Sequence, residues 1–265
     1  MDVLLFIVTF LLGLVGSFFS GLLGIGGAII NYPLLLYVPS LFGVAHFSEH
    51  QVSSISMFQV FFSSLAGLLA FRKSNKTRTG SAVIHRGLVL YMGSSILAGS
   101  LAGGFISAEL HGNAINIMYG ILAVVAVILM LIPGKGTEET YAVDLRFNKY
   151  IAVGAAFGVG IVSGIVGAGG AFILIPIMLT VLKIPTRTTI ASSLAIVFIS
   201  AIGGVIGKIA GGDIPFWPTV YIVIGSLIGA SLGSKVSSRV NVKVLRYGLI
   251  VLIMFTAIKI WASIL

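Results

Sequence analysis

The chain of 265 residues contains no cysteine. Disulfides, thiolate metal ligands and thiol relays are therefore excluded, and the redox compartment stays undetermined. Charge is nearly as scarce: Asp, Glu, Lys and Arg together make up 9% of the residues, against about 25% in a soluble domain. The acidic residues are Asp2, Glu49, Glu109, Glu138, Glu139, Asp144 and Asp213, all in or at the edge of expected loops. No carboxylate is thus placed mid-membrane to relay a proton or pair with a cationic substrate. Also missing are His and carboxylate clusters at metal-ligand spacing, a phosphate-binding GxxxxGKS/T motif and paired intramembrane acids. The GxG spacings in 158–170 lie inside an apolar span with no strand–helix–strand context. Nothing here points to an enzyme, a metal or a cofactor.

What the chain does have is apolar sequence and glycine. Hydrophobic residues make up 58% and glycine 34 of the 265 positions, glycine being well above the roughly 7% average. Runs long enough to span a bilayer, about 20 residues each, include 51–71, 87–107, 114–132, 190–209 and 243–265. The chain reads as an all-α polytopic membrane protein. Met1-Asp2 precedes the first run without a basic leader, so Val3–Ser20 is expected to be retained rather than cleaved.

The net charge of +9 is an orientation signal rather than a nucleic-acid surface. Lys and Arg gather at 72–86, 135–149, 183–187 and 235–246, leaving only Lys208 and Lys259 elsewhere. The connections around 39–50 and 108–113 carry no Lys or Arg. This alternation follows the positive-inside rule. It predicts a multi-pass protein of the cell (plasma or inner) membrane, with basic loops in the cytoplasm and both termini outside.

An internal repeat organises these spans. SGLLGIGGAIINYPLLL at Ser20–Leu36 aligns without gaps to SGIVGAGGAFILIPIML at Ser163–Leu179, with nine of 17 positions identical. Ser53-Ser54-Ile55 then matches Ser192-Ser193-Leu194, and Ser95, Gly99 and Gly103 match Gly225, Gly229 and Gly233. Each half divides into five apolar segments, about 3–20, 26–38, 50–71, 87–107 and 113–133, then 149–167, 169–182, 188–209, 215–234 and 243–264. The expected layout is a first repeat at 1–133, a cytoplasmic linker at 134–148 and a second repeat at 149–265. An odd number of segments per half inverts the second repeat, the arrangement of many secondary transporters. The short second segment of each half can be a re-entrant half-helix.

Glycine inside a helix costs roughly 1 kcal/mol against alanine, and proline about 3. Both are concentrated at the repeated motif. A helix broken in the bilayer exposes backbone groups that are tolerable only against protein, water or a ligand. The restarting helix turns its free N–H groups and positive dipole end toward the break, which favours an anion. The candidate binding set is therefore Ser20, Gly24, Gly26, Gly27, Ala28 and Asn31 at the first break, and Ser163, Gly167, Gly169, Gly170 and Ala171 at the second. Ser53, Ser54, Gln59, Ser192 and Ser193 head the helices that follow, with Thr188 and Thr189 just before the last pair. Their hydroxyls and amides can donate to oxyanion oxygens; helix–helix hydrogen bonding is the alternative. Close helix packing is the expected role of Gly13, Gly99, Gly103, Gly225, Gly229 and Gly233. Coupling to Na+ or H+ stays open, and glycine faces leave room for a homo-oligomer.

The paired SGxxGxGGAxxxxP motifs at Ser20–Pro33 and Ser163–Pro176, each followed by a Ser-Ser pair, resemble the sulfite exporter TauE/SafE family of membrane permeases. The resemblance implies export, or sometimes import, of sulfite, organosulfonates or related small anions. One departure is that Asn31 has Leu174 as its counterpart, so the half-sites are chemically unequal. The expected function is a secondary transporter of a small oxyanion, with an alternating-access site at the midplane between the repeats. A passive anion channel and a non-transporting membrane scaffold are the alternatives.

Overall fold

The computed structural model describes residues 3–23, 28–75, 84–131 and 147–237, together with a few positions between 247 and 262. It is an all-helical polytopic membrane protein. The helices are α1 (Val3–Leu23), α2 (Ala28–Leu41), α3 (Glu49–Asn75), α4 (Arg86–Glu109), α5 (Gly112–Leu131), α6 (Lys149–Val166), α7 (Ala171–Pro176, continued by a π-helical stretch Ile177–Val181), α8 (Thr186–Gly211) and α9 (Phe216–Ser237). Among the described residues, six helices (α1, α3, α4, α6, α8 and α9) are long and apolar enough to cross a membrane.

The apolar runs foretold these elements within a few residues. Thr188 and Thr189, expected to open the segment 188–209 just before Ser192-Ser193, lie in the first turn of α8, which starts at Thr186 behind Pro185 at its N-terminal boundary. Proline is tolerated there, where its missing N–H costs nothing. The linker at 134–146 and most of the final segment at 243–264 lie outside the described residues.

Two helices are too short to span. The 14 residues of α2 reach about 21 Å, and the 171–181 helix about 17 Å, at 1.5 Å per residue; the hydrocarbon core needs about 30 Å. Pro176 lies inside the latter, where its ring removes an intrahelical donor and the helix widens into the π stretch.

Glycine contacts fix how the long helices run. A side chain added at Gly225, Gly229 or Gly233 would strike the α1 carbonyls of Phe10, Leu14 and Phe18 in turn, so α9 runs parallel to α1. In the same way Gly99 and Gly103 of α4 abut Phe157 and Ile161 of α6, also in parallel. Gly203 and Gly207 of α8 meet Leu97 and Gly104 of α4 in the same sense. Between α3 and α8 the sense reverses: Gly204 faces Met57, while Gly67 faces Leu194. Thus α1, α3 and α9 form one parallel group and α4, α6 and α8 form a second, joined chiefly along α3 and α8. The packing role expected of Gly13, Gly99, Gly103, Gly225, Gly229 and Gly233 is what these contacts display, backbone against backbone. Dispersion and close approach, rather than water exclusion, hold helices together in lipid.

These directions also sort the charges. Arg72 and Lys73 end α3, Arg86 and Lys149 begin α4 and α6, Lys183 and Arg187 flank the α7–α8 connection, and Lys235 ends α9. All therefore lie at one end of the bundle. Glu49, Glu109 and Asp213 mark the other end. Among the described residues Lys208, in the last turn of α8, is the only cation at that acidic end.

Candidate functional site

The second break is built on three left-handed glycines within four residues. Gly167, Gly169 and Gly170 have φ of 79°, 63° and 72°, a region that side chains with Cβ occupy only at a cost of 1–2 kcal/mol or so. Gly167 ends α6 with its N–H bonded to the Ser163 carbonyl (2.9 Å), and Gly170 precedes Ala171, which opens α7. A Cβ on Gly167 would overlap the Ser53 backbone, and one on Gly169 would strike Val60, with Val197 close by. The break is therefore wedged between α3 and α8, where the two helix groups meet. Of the first break, Gly24, Gly26 and Gly27 lie outside the described residues, and Ala28 opens α2.

The polar residues at this depth divide into two sets. One is bonded within the protein. Ser53 Oγ donates to Ile165 O (2.9 Å), and Ser192 Oγ accepts from the His85 backbone N–H (3.1 Å). Ser193 Oγ donates back to Ile190 O (2.9 Å). Gln59 Nε2 donates to Ser17 Oγ (3.0 Å) and reaches Gly13 O (3.4 Å), tying α3 to α1. The other set is fully enclosed yet unsatisfied: among the described residues Ser20 Oγ, both side-chain atoms of Asn31, Gln59 Oε1 and Ser163 Oγ have no hydrogen-bond partner, nor have Ser56 Oγ and Ser200 Oγ. Leaving such a group unpaired costs about 1–3 kcal/mol, and in native proteins it calls for an explanation.

Position relates several of these groups. Asn31 presses on Gly16 of α1, one turn from Ser20, and a Cβ on Gly170 would come 3.2 Å from that of Ser163. Asn31 is held from behind: neighbouring Tyr32 stacks on Tyr119 of α5, ring centroids 4.8 Å apart, and its hydroxyl donates to Asn116 Oδ1 (2.8 Å). Asn116 Nδ2 in turn donates to Glu49 Oε1 (3.2 Å) at the start of α3. The hydrogen bonds do not gather all the candidates into one cluster. Ser53 belongs to the end of α6, Gln59 and Asn31 to the face of α1, and Ser192 to the start of α4.

Residues that sequence reasoning passed over complete the second break. The Ile165 carbonyl accepts not only from Ser53 but also from Ser107 Oγ (3.1 Å) and Lys208 Nζ (3.1 Å), and Lys208 Nζ donates to Ser107 Oγ at 2.5 Å. Lys208 is only 5% exposed. The available signal was its place: a lone lysine at the far end of a span whose other basic residues lie at the opposite end.

A sequence pattern described as "Sulfite exporter TauE/SafE" matches residues 9–260. The chain belongs to the sulfite exporter TauE/SafE family. Relatives within it include a "Probable membrane transporter protein YunE" of Bacillus subtilis, 24% identical over 254 residues that cover 90% of both chains. A "Probable membrane transporter protein" of Xylella fastidiosa is 32% identical over 237 residues, covering 86% of this chain and 82% of that one. The "Probable membrane transporter protein MJ0441" of Methanocaldococcus jannaschii is 26% identical over 252 residues, covering 92% of this chain and 89% of its own. No solved structure matches. This TauE/SafE protein is accordingly a membrane transporter by family.

Proposed function

We propose that this protein is a secondary transporter, working as an exporter, of a small oxyanion of the sulfite or organosulfonate class. The observation that carries this is the set of enclosed, unpartnered donors at the two helix breaks: Ser20 and Asn31 at the first, Ser163 at the second. Ser163 lies beside the second break, where the first N–H groups of α7 have no intrahelical acceptor; Ser20 and Asn31 flank residues 24–27, which lie outside the described residues. Oxyanion oxygens accept hydrogen bonds from such donors without needing a counter-charge in hydrocarbon. Gly24, Gly26, Gly27, Ala28, Gly167, Gly169, Gly170 and Ala171 would supply bare backbone, Ser54 and Ser192 further hydroxyl donors, and Ser53, Gln59 and Ser193 donors once they exchange their present protein acceptors.

The inverted-repeat layout, with halves at 1–133 and 149–265, is supported by the exchange pattern of contacts: α1 pairs with α9 as α6 pairs with α4, and α3 with α9 as α8 with α4. That pattern also alters what moves. Because α4 packs into the second half and α9 into the first, the sequence halves are interleaved and cannot rock as rigid bodies. The moving bodies are instead the α1–α3–α9 and α4–α6–α8 groups, hinged along α3 and α8, with each break carried by one group. Charge segregation supports cytoplasmic basic loops and external termini.

The test is saturable uptake of sulfite into liposomes containing the purified protein, with and without a sodium gradient. Saturation and inhibition by excess unlabelled anion are expected; flux that rises linearly with sulfite would replace the transporter by a channel.

A further inference from the structure

At the acidic end of the bundle a small cavity opens between the start of α3 and the ends of α4 and α8. His50, Ser54, Ser107, Lys208 and Asp213 contribute its polar lining. Lys208 is its buried cation, and the Nζ ligands are a hydroxyl and a carbonyl, both neutral. A buried ammonium held only by neutral acceptors is incompletely compensated, and burial of such a charge is costly unless it is paired. The carboxylate on the same cavity, Asp213, attracts Lys208 through space but spends its hydrogen bonds elsewhere, accepting from Gln51 Nε2 (3.3 Å) and lying 3.5 Å from Ser48 Oγ. Ser54 is 3% exposed and its hydroxyl has no hydrogen-bond partner among the described residues. The cavity therefore carries one cation bonded only to neutral acceptors and one free donor on a common lining.

We propose that this cavity is a second anion subsite, in which Lys208 Nζ and Ser54 Oγ bind the transported oxyanion at the acidic end of the bundle before or after it occupies the helix breaks. The proposal rests on the oxyanion-transport function given above and adds a charged residue to it. Position supports the link: Lys208 and Ser53, the neighbour of Ser54, bond the same Ile165 carbonyl, two residues before the left-handed turn at Gly167. An anion there is one step along α6 from the break. At an end of the bundle marked by Glu49, Glu109 and Asp213, where no other lysine or arginine is described, Lys208 would be the feature that draws an anion in. Asp213 acts in the opposite sense, since its carboxylate disfavours a second negative charge nearby.

The experiment is a sulfite titration of thermal stability in detergent, paired with liposome flux, for the wild type, Lys208→Met, Lys208→Arg, Ser54→Ala and Asp213→Asn. Loss of a charge-assisted hydrogen bond corresponds to about tenfold in affinity. Lys208→Met is expected to raise the half-saturating sulfite concentration by about tenfold or more, Lys208→Arg to restore part of it, and Asp213→Asn to lower it. A folded Lys208→Met protein with the wild-type titration overturns the subsite and leaves Lys208 as a pin for the α6 end. Should Lys208→Met fail to fold, unshifted titrations in both Ser54→Ala and Asp213→Asn overturn it equally. A wild type that responds to no anion is a different failure: it removes the oxyanion function itself, and the subsite with it.

Discussion

Gly167 rests directly on the backbone of Ser53, and the Ser53 hydroxyl reaches past it to the Ile165 carbonyl at 2.9 Å. One contact thus joins the end of α6 to the second turn of α3, across the boundary between the two helix groups. Gly167→Ala meets two penalties there. The left-handed φ of 79° costs a Cβ-bearing residue about 1–2 kcal/mol, and the Ser53 backbone blocks the space. A drop of about 2 kcal/mol or more in stability is expected, measured as a lowered melting temperature in detergent. Gly154→Ala and Gly158→Ala serve as contrasts: a Cβ at either meets nothing within 4 Å, so helix propensity should stabilise them by up to about 1 kcal/mol.

The helix-packing glycines separate stability from binding. Gly229→Ala and Gly103→Ala would drive a methyl into the Leu14 and Ile161 carbonyls. Both variants should melt earlier than the wild type. Their folded fraction should nevertheless titrate with sulfite at the wild-type midpoint, because neither residue touches a break. A shifted midpoint with an unchanged melt would contradict this division.

The absence of cysteine makes the moving bodies accessible to spin labels without background. Leu11 and Leu232 are exposed positions on α1 and α9 of one group, and Phe157 is an exposed position on α6 of the other. Labels at Leu11 and Leu232 should keep one distance with and without sulfite. Labels at Leu11 and Phe157 should show a second distance population, measured by double electron–electron resonance. Movement within the first pair as well as the second would reinstate rocking of the sequence halves.

Much of this architecture was legible in the chain. Apolar run lengths gave the long helices to within a few residues, since in a bilayer every backbone group must be satisfied inside its own segment. Small-xxx-small spacing marked Gly99, Gly103, Gly225, Gly229 and Gly233 for close packing. Interleaving was not legible, because a repeat records which helices are equivalent and says nothing of which neighbour each packs on. Nor was burial of Lys208, since a lysine near the end of an apolar run looks the same whether it snorkels to the interface or turns inward to Ser107. The Asn31–Leu174 mismatch was visible, and its counterpart in space is an amide with no partner on one side only.

Those unpartnered groups are the centre of the account, and they make an unusual pairing of effects. If Ser20 and Ser163 are kept enclosed and unsatisfied for a ligand, replacing them by alanine removes a desolvation cost as well as a donor. Ser20→Ala and Ser163→Ala should each be as stable as the wild type or more stable by about 1 kcal/mol, while binding anions less well.

The most direct measurement is therefore the melting temperature of the wild type, Ser20→Ala and Ser163→Ala against sulfite, sulfate, thiosulfate, sulfoacetate, taurine, acetate and phosphate. A ligand at 100 times its dissociation constant stabilises a fold by about 2.7 kcal/mol, a readily visible shift. A wild-type shift confined to one or two sulfur oxyanions is expected, weakened in both variants, which melt no earlier than the wild type without ligand. Equal shifts in all three proteins, or variants that lose stability and keep full anion response, would contradict it.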